Sequence, residues 1–561
     1  MRLRPGPPPL HSYNIVLYPV WCIIYNLFFH PLRKFPGPKL AAATQLYTSY
    51  ANCRGRPFQH LKALHDKYGE VVRVKPNELS FITDTIWRDV YMHRQGKPQM
   101  VKTNRDCFEE DPNLHNIISG DDDTHARHRR AVAHAFSDKA LKAQEPLIQR
   151  YIDMLVDILR DEARKGGPFD IIERINWTSF DIIGDLAFGE PFGALASRQS
   201  HVWMTNFFKA TQMGCVMNEI LEFAGSWRDF LLRQVIVPLM VSNATMSDFA
   251  THKIEARLER GVGEKPDLMA YLLKHNDEGK GMSKREIVST FNIIVVAGAE
   301  TVGTALSGTL WLLMKNPSAM KKLKEELYAA FENDKDINLA KTYQLPYLNA
   351  VIQEALRAYA TAANSLRRTV EPGGANISGY DVPGGTFVGM PHPVAYVSPR
   401  NFSEPKSFIP ERWIDTSNPR FANDKRSVFR PFSAGPRNCV GQNLANSEIR
   451  MILARLVYNF DFELEDPGFD WADQGAKVIR MKPPLVVRAR EVQHGVELSC
   501  VKDDCENGFS QVLLKVKEHR AEFMKAQHYP KARLIFPQSS APEDTLSSVV
   551  DQSVTPGFKR E

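Results

Sequence analysis

Residues 432–441, Phe432-Ser433-Ala434-Gly435-Pro436-Arg437-Asn438-Cys439-Val440-Gly441, set one cysteine in a short Gly/Pro loop. An apolar run at helical spacing follows it, through Leu444, Ile449, Met451, Ile452, Leu453, Leu456 and Val457. A cysteine so placed lies at a helix N-terminus, where free backbone N–H groups and the helix dipole favour a thiolate. Gly435 permits a turn that a side chain would resist, and Gly441 permits the close approach of a flat partner. Arg437 can pair with a carboxylate on that partner.

A lone thiolate with a cation beside it and a flat face before it suits a haem iron better than zinc. Zinc would need further Cys or His ligands at short spacing, and this stretch offers none. The loop resembles the haem loop of the cytochrome P450 family, Phe-x-x-Gly-x-Arg-x-Cys-x-Gly, at every fixed position: Phe432, Gly435, Arg437, Cys439 and Gly441. The resemblance implies a mainly α-helical body with small β-sheets around a buried haem b, with Cys439 as axial ligand. The plainer alternative is a buried structural cysteine ahead of a helix.

Two further segments support the resemblance. Ser283-Lys284-Arg285-Glu286 reads as a capping box, and the apolar run after it reaches Lys315, where Asn316-Pro317 ends it. About 32 helical residues make a rod of roughly 48 Å. A helix this apolar is either buried or a membrane span, and Glu300 at its middle argues for burial. Ala297-Gly298-Ala299-Glu300-Thr301 resembles the family's oxygen-helix pentapeptide. Gly298 then removes a side chain where the cofactor and dioxygen approach. The Thr301 hydroxyl, with Glu300, steers protons during oxygen activation. Glu354-Ala355-Leu356-Arg357 places an acid and a base on one helix face among apolar neighbours. In the family this pair, joined by Arg412, braces the haem loop. A buried pair of this kind needs extra hydrogen bonds to offset desolvation.

Propionate partners are also implied. His125 and Arg129 share a helix face after the acidic start Asp121-Asp122-Asp123. The alternative is a solvated basic face, and Arg127 and Arg130 suit either that or an acidic redox partner. Arg368 is favoured over Arg367 as a further partner. After Arg357 the family often carries a proline pair, whereas this chain has Ala360-Thr361-Ala362-Ala363-Asn364, which points to altered substrate preference. Phe207, Phe208, Met213, Met217, Phe223 and Trp227 form a Met- and aromatic-rich region that roofs the pocket in the family.

The organisation expected is an N-terminal anchor and Pro-rich hinge over 1–40, a haem domain over 41–490, and an extension over 491–561 that reads as disordered around one charged helical stretch, Leu513–Lys525. The apolar run Ile15–Phe29 is shorter than a typical span and is interrupted by Pro19 and Asn26. Arg33, Lys34 and Lys39 follow it, then the stiff turn Phe35-Pro36-Gly37-Pro38. These features, with the family, point to the endoplasmic reticulum membrane and a cytosol-facing body. A net charge of +6 over 561 residues gives no reason to expect a nucleic-acid partner. Seven scattered cysteines fit a reducing compartment.

The expected activity is monooxygenation of an apolar small molecule. No nucleotide-binding Gly motif follows the haem domain, so electrons are expected from NADPH through a separate P450 reductase, with cytochrome b5 as a second candidate donor. The wording around Asn-Trp-Thr-Ser-Phe-Asp at 176–181 looks like fungal members of secondary metabolism. Two alternatives stand beside it. A non-oxygenating haem-thiolate isomerase or dehydratase would lack the oxygen-helix threonine, and a haem-binding protein without turnover would not need the full motif set.

Overall fold

The computed structural model describes residues 11–102, 114–223, 245–263, 265–276, 281–362, 365–477 and 479–494. The expected helix at Leu513–Lys525, the tail around it, Trp227 and Asn364 lie outside these residues.

The described chain is mainly helical. It begins with α1 (His11–Phe28), α2 (Lys39–Ala43), α3 (Leu46–Cys53) and α4 (Pro57–Tyr68). Three strands come next: β1 (Val71–Lys75), β2 (Glu78–Phe81) and β3 (Val101–Lys102). Helices α5 (Asp122–Ala133) and α6 (Asp138–Lys165), strand β4 (Phe169–Asp170), and helices α7 (Ile171–Phe188) and α8 (Val202–Phe223) follow. The rod α9 (Lys284–Lys315) and α10 (Pro346–Ala358) then lead to β5 (Arg368–Thr369) and β6 (Phe387–Gly389). The cysteine loop opens α11 (Gln442–Asn459), and β7 (Phe460–Leu464) and β8 (Val486–Glu491) close the body.

One sheet runs β1-β2-β6-β5-β3, and a second runs β4-β8-β7. In the first, β2 and β6 are parallel while the other pairs are antiparallel. Val388 of β6 lies between Leu79 and Arg368, so a strand far along the sequence stitches the N-terminal hairpin to the segment bearing Arg368. The larger apolar core gathers α6, α7, α9, α10 and α11, and a smaller one lies on the sheet side. Phe429, just ahead of the cysteine loop, packs against both. The loop therefore sits where the two cores meet.

α9 has the expected bounds. Ser283 Oγ accepts from the Glu286 N–H at 3.3 Å, and Glu286 returns the bond to the Ser283 N–H at 2.8 Å. Among the described residues it is the one helix long and apolar enough to cross a membrane, and 72% of its most apolar window is buried in the body. That burial agrees with the reading of α9 as a core rod.

α1 runs unbroken through Pro19. The Asn26 side chain, expected to interrupt it, instead donates to the Ala43 carbonyl at 3.1 Å and ties α1 to α2. Leu32 and Phe35, assigned above to the hinge, are core residues of the sheet side. At the other end the body reaches His494, whose ring stacks on Tyr458 with centroids 4.1 Å apart.

Candidate active site

The loop before α11 is held from both sides. The Cys439 N–H donates to the Phe432 carbonyl at 2.9 Å, and the Asn438 N–H donates to the Gly435 carbonyl at 3.1 Å. Gly435 has φ +75, and a Cβ there would stand 2.0 Å from the Tyr91 carbonyl oxygen, so only glycine fits. Gly441 is different: its φ is −86 and a Cβ would meet only Phe136 at 3.7 Å. No protein atom demands that glycine, which leaves its open side to a non-protein neighbour. Phe432 is half-buried against the helical core.

The Cys439 side chain is accessible, yet burial pushes its thiol pKa up. Both hold if the sulfur lines an enclosed hollow inside the body. The Gly441 N–H and the Arg129 charge pull the other way. The helix-terminus argument alone predicts a thiolate; here desolvation outweighs it. A metal cation at the sulfur would reverse that balance.

Cations collect next to this loop. Arg437 donates through Nε and Nη2 to Asp122 at 3.0 and 2.8 Å and through Nη2 to the Gly120 carbonyl at 2.8 Å. Its Nη1 is buried with no partner. His125 is buried in the same neighbourhood, and desolvation together with Arg437, Arg129 and Lys102 brings its pKa down to about 4. A group of this kind, with an unspent buried N–H donor, fits a partner that carries carboxylates, as haem does.

Arg129 has another use. Its two terminal nitrogens donate to the Asn438 carbonyl and, at 2.8 Å, to the Asn438 side chain. Arg129 thus braces the cysteine loop. The i,i+4 spacing put it on the His125 face but could not say which acceptor lay across from that face. Arg127 grips Glu286 at 2.6 and 3.0 Å, with His128 3.2 Å from the same carboxylate, so the middle of α5 is clamped to the α9 cap. Arg367 joins Glu78 at 3.2 Å and Glu222 at 2.8 Å. Arg368 is buried over the Tyr91 ring at 5.1 Å.

On α9, Ala297 is exposed and Thr301 half-buried although the helix around them is core. Thr301 Oγ1 donates to the Ala297 carbonyl at 2.6 Å, a mid-helix back-bond. Gly298 serves packing. A Cβ there would lie 3.0 Å from Ile183 of α7, so the missing side chain lets two helices close. Glu300 is buried and ion-paired to Lys482 at 2.7 Å, and Lys482 also donates to Thr304 at 2.8 Å. Sequence reading missed Lys482 because it comes from the chain's far end, in Lys482-Pro483-Pro484, ahead of β8.

The bracing group is complete and fully buried. Arg357 makes a bidentate pair with Glu354 at 2.8 Å and donates to the carbonyls of Tyr396, Pro405 and Ser407. Arg412 donates to Glu354 at 3.2 Å and to Asp424 at 2.6 Å. Glu354 also accepts from the Trp413 indole at 2.9 Å and the Ile409 N–H at 3.0 Å. Asp424 and Trp413 were not foreseen; neither stands at a motif spacing.

The cytochrome P450 family profile matches residues 36–487. The chain belongs to the cytochrome P450 family. It is 41% identical to the cytochrome P450 monooxygenase aclL of Aspergillus oryzae, over 86% of this chain and 98% of that one. It is 38% identical to an averantin hydroxylase of Dothistroma septosporum, over 84% of this chain and 89% of the relative. A trichothecene C-4 hydroxylase of Trichoderma arundinaceum is 37% identical, over 84% and 95%. This P450 is therefore an oxygen-incorporating oxidoreductase of the monooxygenase type, and its family implies a haem-thiolate cofactor. The accessible sulfur of Cys439, the orphaned Nη1 of Arg437 and the free face of Gly441 all fit that group.

Proposed function

We propose that this P450 oxygenates an apolar intermediate of secondary metabolism, a terpenoid, polyketide or alkaloid. Electrons come from NADPH through a separate flavoprotein reductase, with cytochrome b5 as a second donor. The body faces the cytosol from the endoplasmic reticulum membrane, held by α1. The relatives that hydroxylate averantin and trichothecenes support the substrate class. The exposed Leu17, Tyr18, Trp21 and Phe28 of α1 support the membrane.

When bound, haem with a thiolate ligand supplies the chemistry that cleaves dioxygen. The chain's part is to hold, orient and deliver protons. Cys439 provides the thiolate, and Arg129 keeps its loop in place through Asn438. Arg437 Nη1, His125 and Arg368 hold the carboxylates. Thr301 donates its hydrogen to the Ala297 carbonyl, so its oxygen remains open to accept a hydrogen bond from, and so position, a water that carries the proton. Glu300, beside it in the chain, is held by its ion pair with Lys482.

The observation that carries this reading is Cys439: one sulfur, accessible but desolvated, at the head of α11. Cys439→Ala is expected to abolish the thiolate-type ferrous–CO absorption band while the protein stays folded; a band that survives removes the ligand assignment. Thr301→Ala is expected to keep the band but release hydrogen peroxide at the expense of product. Unchanged coupling of NADPH to product would count against the proton role.

A further inference from the structure

Ala360-Thr361-Ala362, where this chain departs from the family's proline pair, is held by a short hairpin from late in the sequence, Gly475–Ala476 paired with Arg480–Met481. Arg480 donates through Nε to the Ala360 carbonyl at 2.9 Å, and Ile479 bridges to Ala362. The Arg480 guanidinium lies over two rings, 3.9 Å from the Tyr359 centroid and 5.0 Å from that of Phe58. These contacts fix its plane and spend one donor.

The remaining donors are unspent. Among the described residues, Arg480 Nη1 and Nη2 make no hydrogen bond and no carboxylate pairs with them. The acids of this neighbourhood are committed elsewhere, Glu300 to Lys482 and Asp473 to Arg56. Lys477, on the same hairpin, donates to the Gln212 carbonyl of α8 at 3.3 Å, and among the described residues it too has no carboxylate. One hairpin therefore carries two uncompensated cations, one touching α8 and the other the loop at 360–362.

Arg480 is no ordinary surface arginine. It is only half-buried, yet desolvation pulls its pKa down. Cys439 shows the same pairing of access with desolvation, the mark of a side chain that lines a hollow. Its position agrees. Tyr359 fills the notch of Gly308 on α9, where a Cβ would stand 2.1 Å from the ring. Gly308 follows Thr301 by two helical turns, so it lies on the same face of the rod, roughly 10 Å along it. A desolvated cation without a countercharge is costly, and the free Nη pair presents parallel donors that match a carboxylate.

We propose that Arg480, assisted by Lys477, binds a carboxylate of the substrate, so that the molecule oxygenated is an apolar skeleton ending in an acid. The site rests on the monooxygenase reading given above and narrows its substrate class.

The test compares dodecanoate, ionised at neutral pH, with methyl dodecanoate, the same chain without the charge, on the full-length haem-loaded protein. The Soret shift on titration gives each affinity, and equilibrium dialysis measures it again without the haem spectrum. The wild type is expected to bind dodecanoate about tenfold more tightly than the ester. Arg480→Gln should bring dodecanoate down to the ester's affinity, and Arg480→Lys should keep part of the preference. Lys477→Gln should reduce it about threefold. A wild type that binds the ester as tightly as the acid overturns the carboxylate site, and that comparison needs no variant to fold. So does a wild type that binds neither while its thiolate-type ferrous–CO band is intact. An Arg480→Gln protein that keeps the band and the whole preference overturns it as well. Absence of the band from the wild type instead overturns the monooxygenase reading itself.

Discussion

Gly298 stands in a motif whose usual reading is room for a cofactor, yet the space it frees is filled by Ile183. Gly298→Ala should therefore lower stability by about 1–3 kcal/mol through overpacking, and adding Ile183→Val should recover part of it. Thermal melts of the single and double variants decide this; no recovery would return the glycine to the cofactor's side. Lys482 is the complementary case, a residue outside the motifs that neutralises a residue inside one. Lys482→Met leaves the Glu300 carboxylate buried without a countercharge, at a cost of about 3–5 kcal/mol. Glu300→Gln added to it should return most of the loss, because the charge that needed a partner is gone. A double variant as unstable as Lys482→Met would show that packing, not charge, binds the pair.

At the scale of elements, the long rod and the cysteine loop meet through two clamps. α5 is fixed at its middle by the grip of Arg127 and His128 on Glu286, the acid that also caps α9. The next residue, Arg129, fixes the loop through Asn438. One helix thus sets the distance between α9 and the sulfur. Below the loop, Glu354, Arg357, Arg412 and Asp424 are fully or almost fully buried, and every charge has a partner. Arg357→Ala takes the bidentate partner from Glu354 and strands three carbonyl acceptors. It should cost about 3–5 kcal/mol and release haem during purification, seen as a falling ratio of Soret to protein absorbance. Retention of full haem content would show that Arg412 alone suffices.

At the scale of the whole molecule, buried ionisable groups set a pH window. Burial brings His65 and His392 down to about 4, from an ordinary value near 6.5. For a depressed pKa, the stability is present above the unfolded value and is lost as pH falls through the folded one. Each histidine therefore withdraws about 3 kcal/mol as pH falls from about 6.5 to 4. Glu448 has the opposite sign: desolvation lifts it to about 8, so its share is full below its ordinary value and is lost as pH rises through 8. Glu222, held down to about 2 by Arg367 and Lys75 against the cost of burial, stays charged across this range. Melting temperature should fall on the acid side within that window, and His392→Phe, which keeps the ring between Trp87 and Tyr396, should flatten the limb. A level profile in both proteins would refute the histidine account.

How far the sequence reaches follows from the range of each interaction. The bounds of α9, its capping box, the helix after Cys439 and the Glu354–Arg357 pair are local: a few neighbouring residues carry propensity, capping and i,i+3 geometry. The haem-loop pattern is local too, so the family and its cofactor were legible there. What lies across from each side chain was not. Arg129 turning to Asn438, Ile183 filling the notch of Gly298, Asp424 completing the brace and Lys482 reaching Glu300 all depend on contacts between segments far apart in the chain. The sequence by itself determined the family and the motifs that mark it; only the tertiary structure decided what each motif residue meets, because a long-range contact leaves no periodicity or spacing in the chain for either residue to be read from.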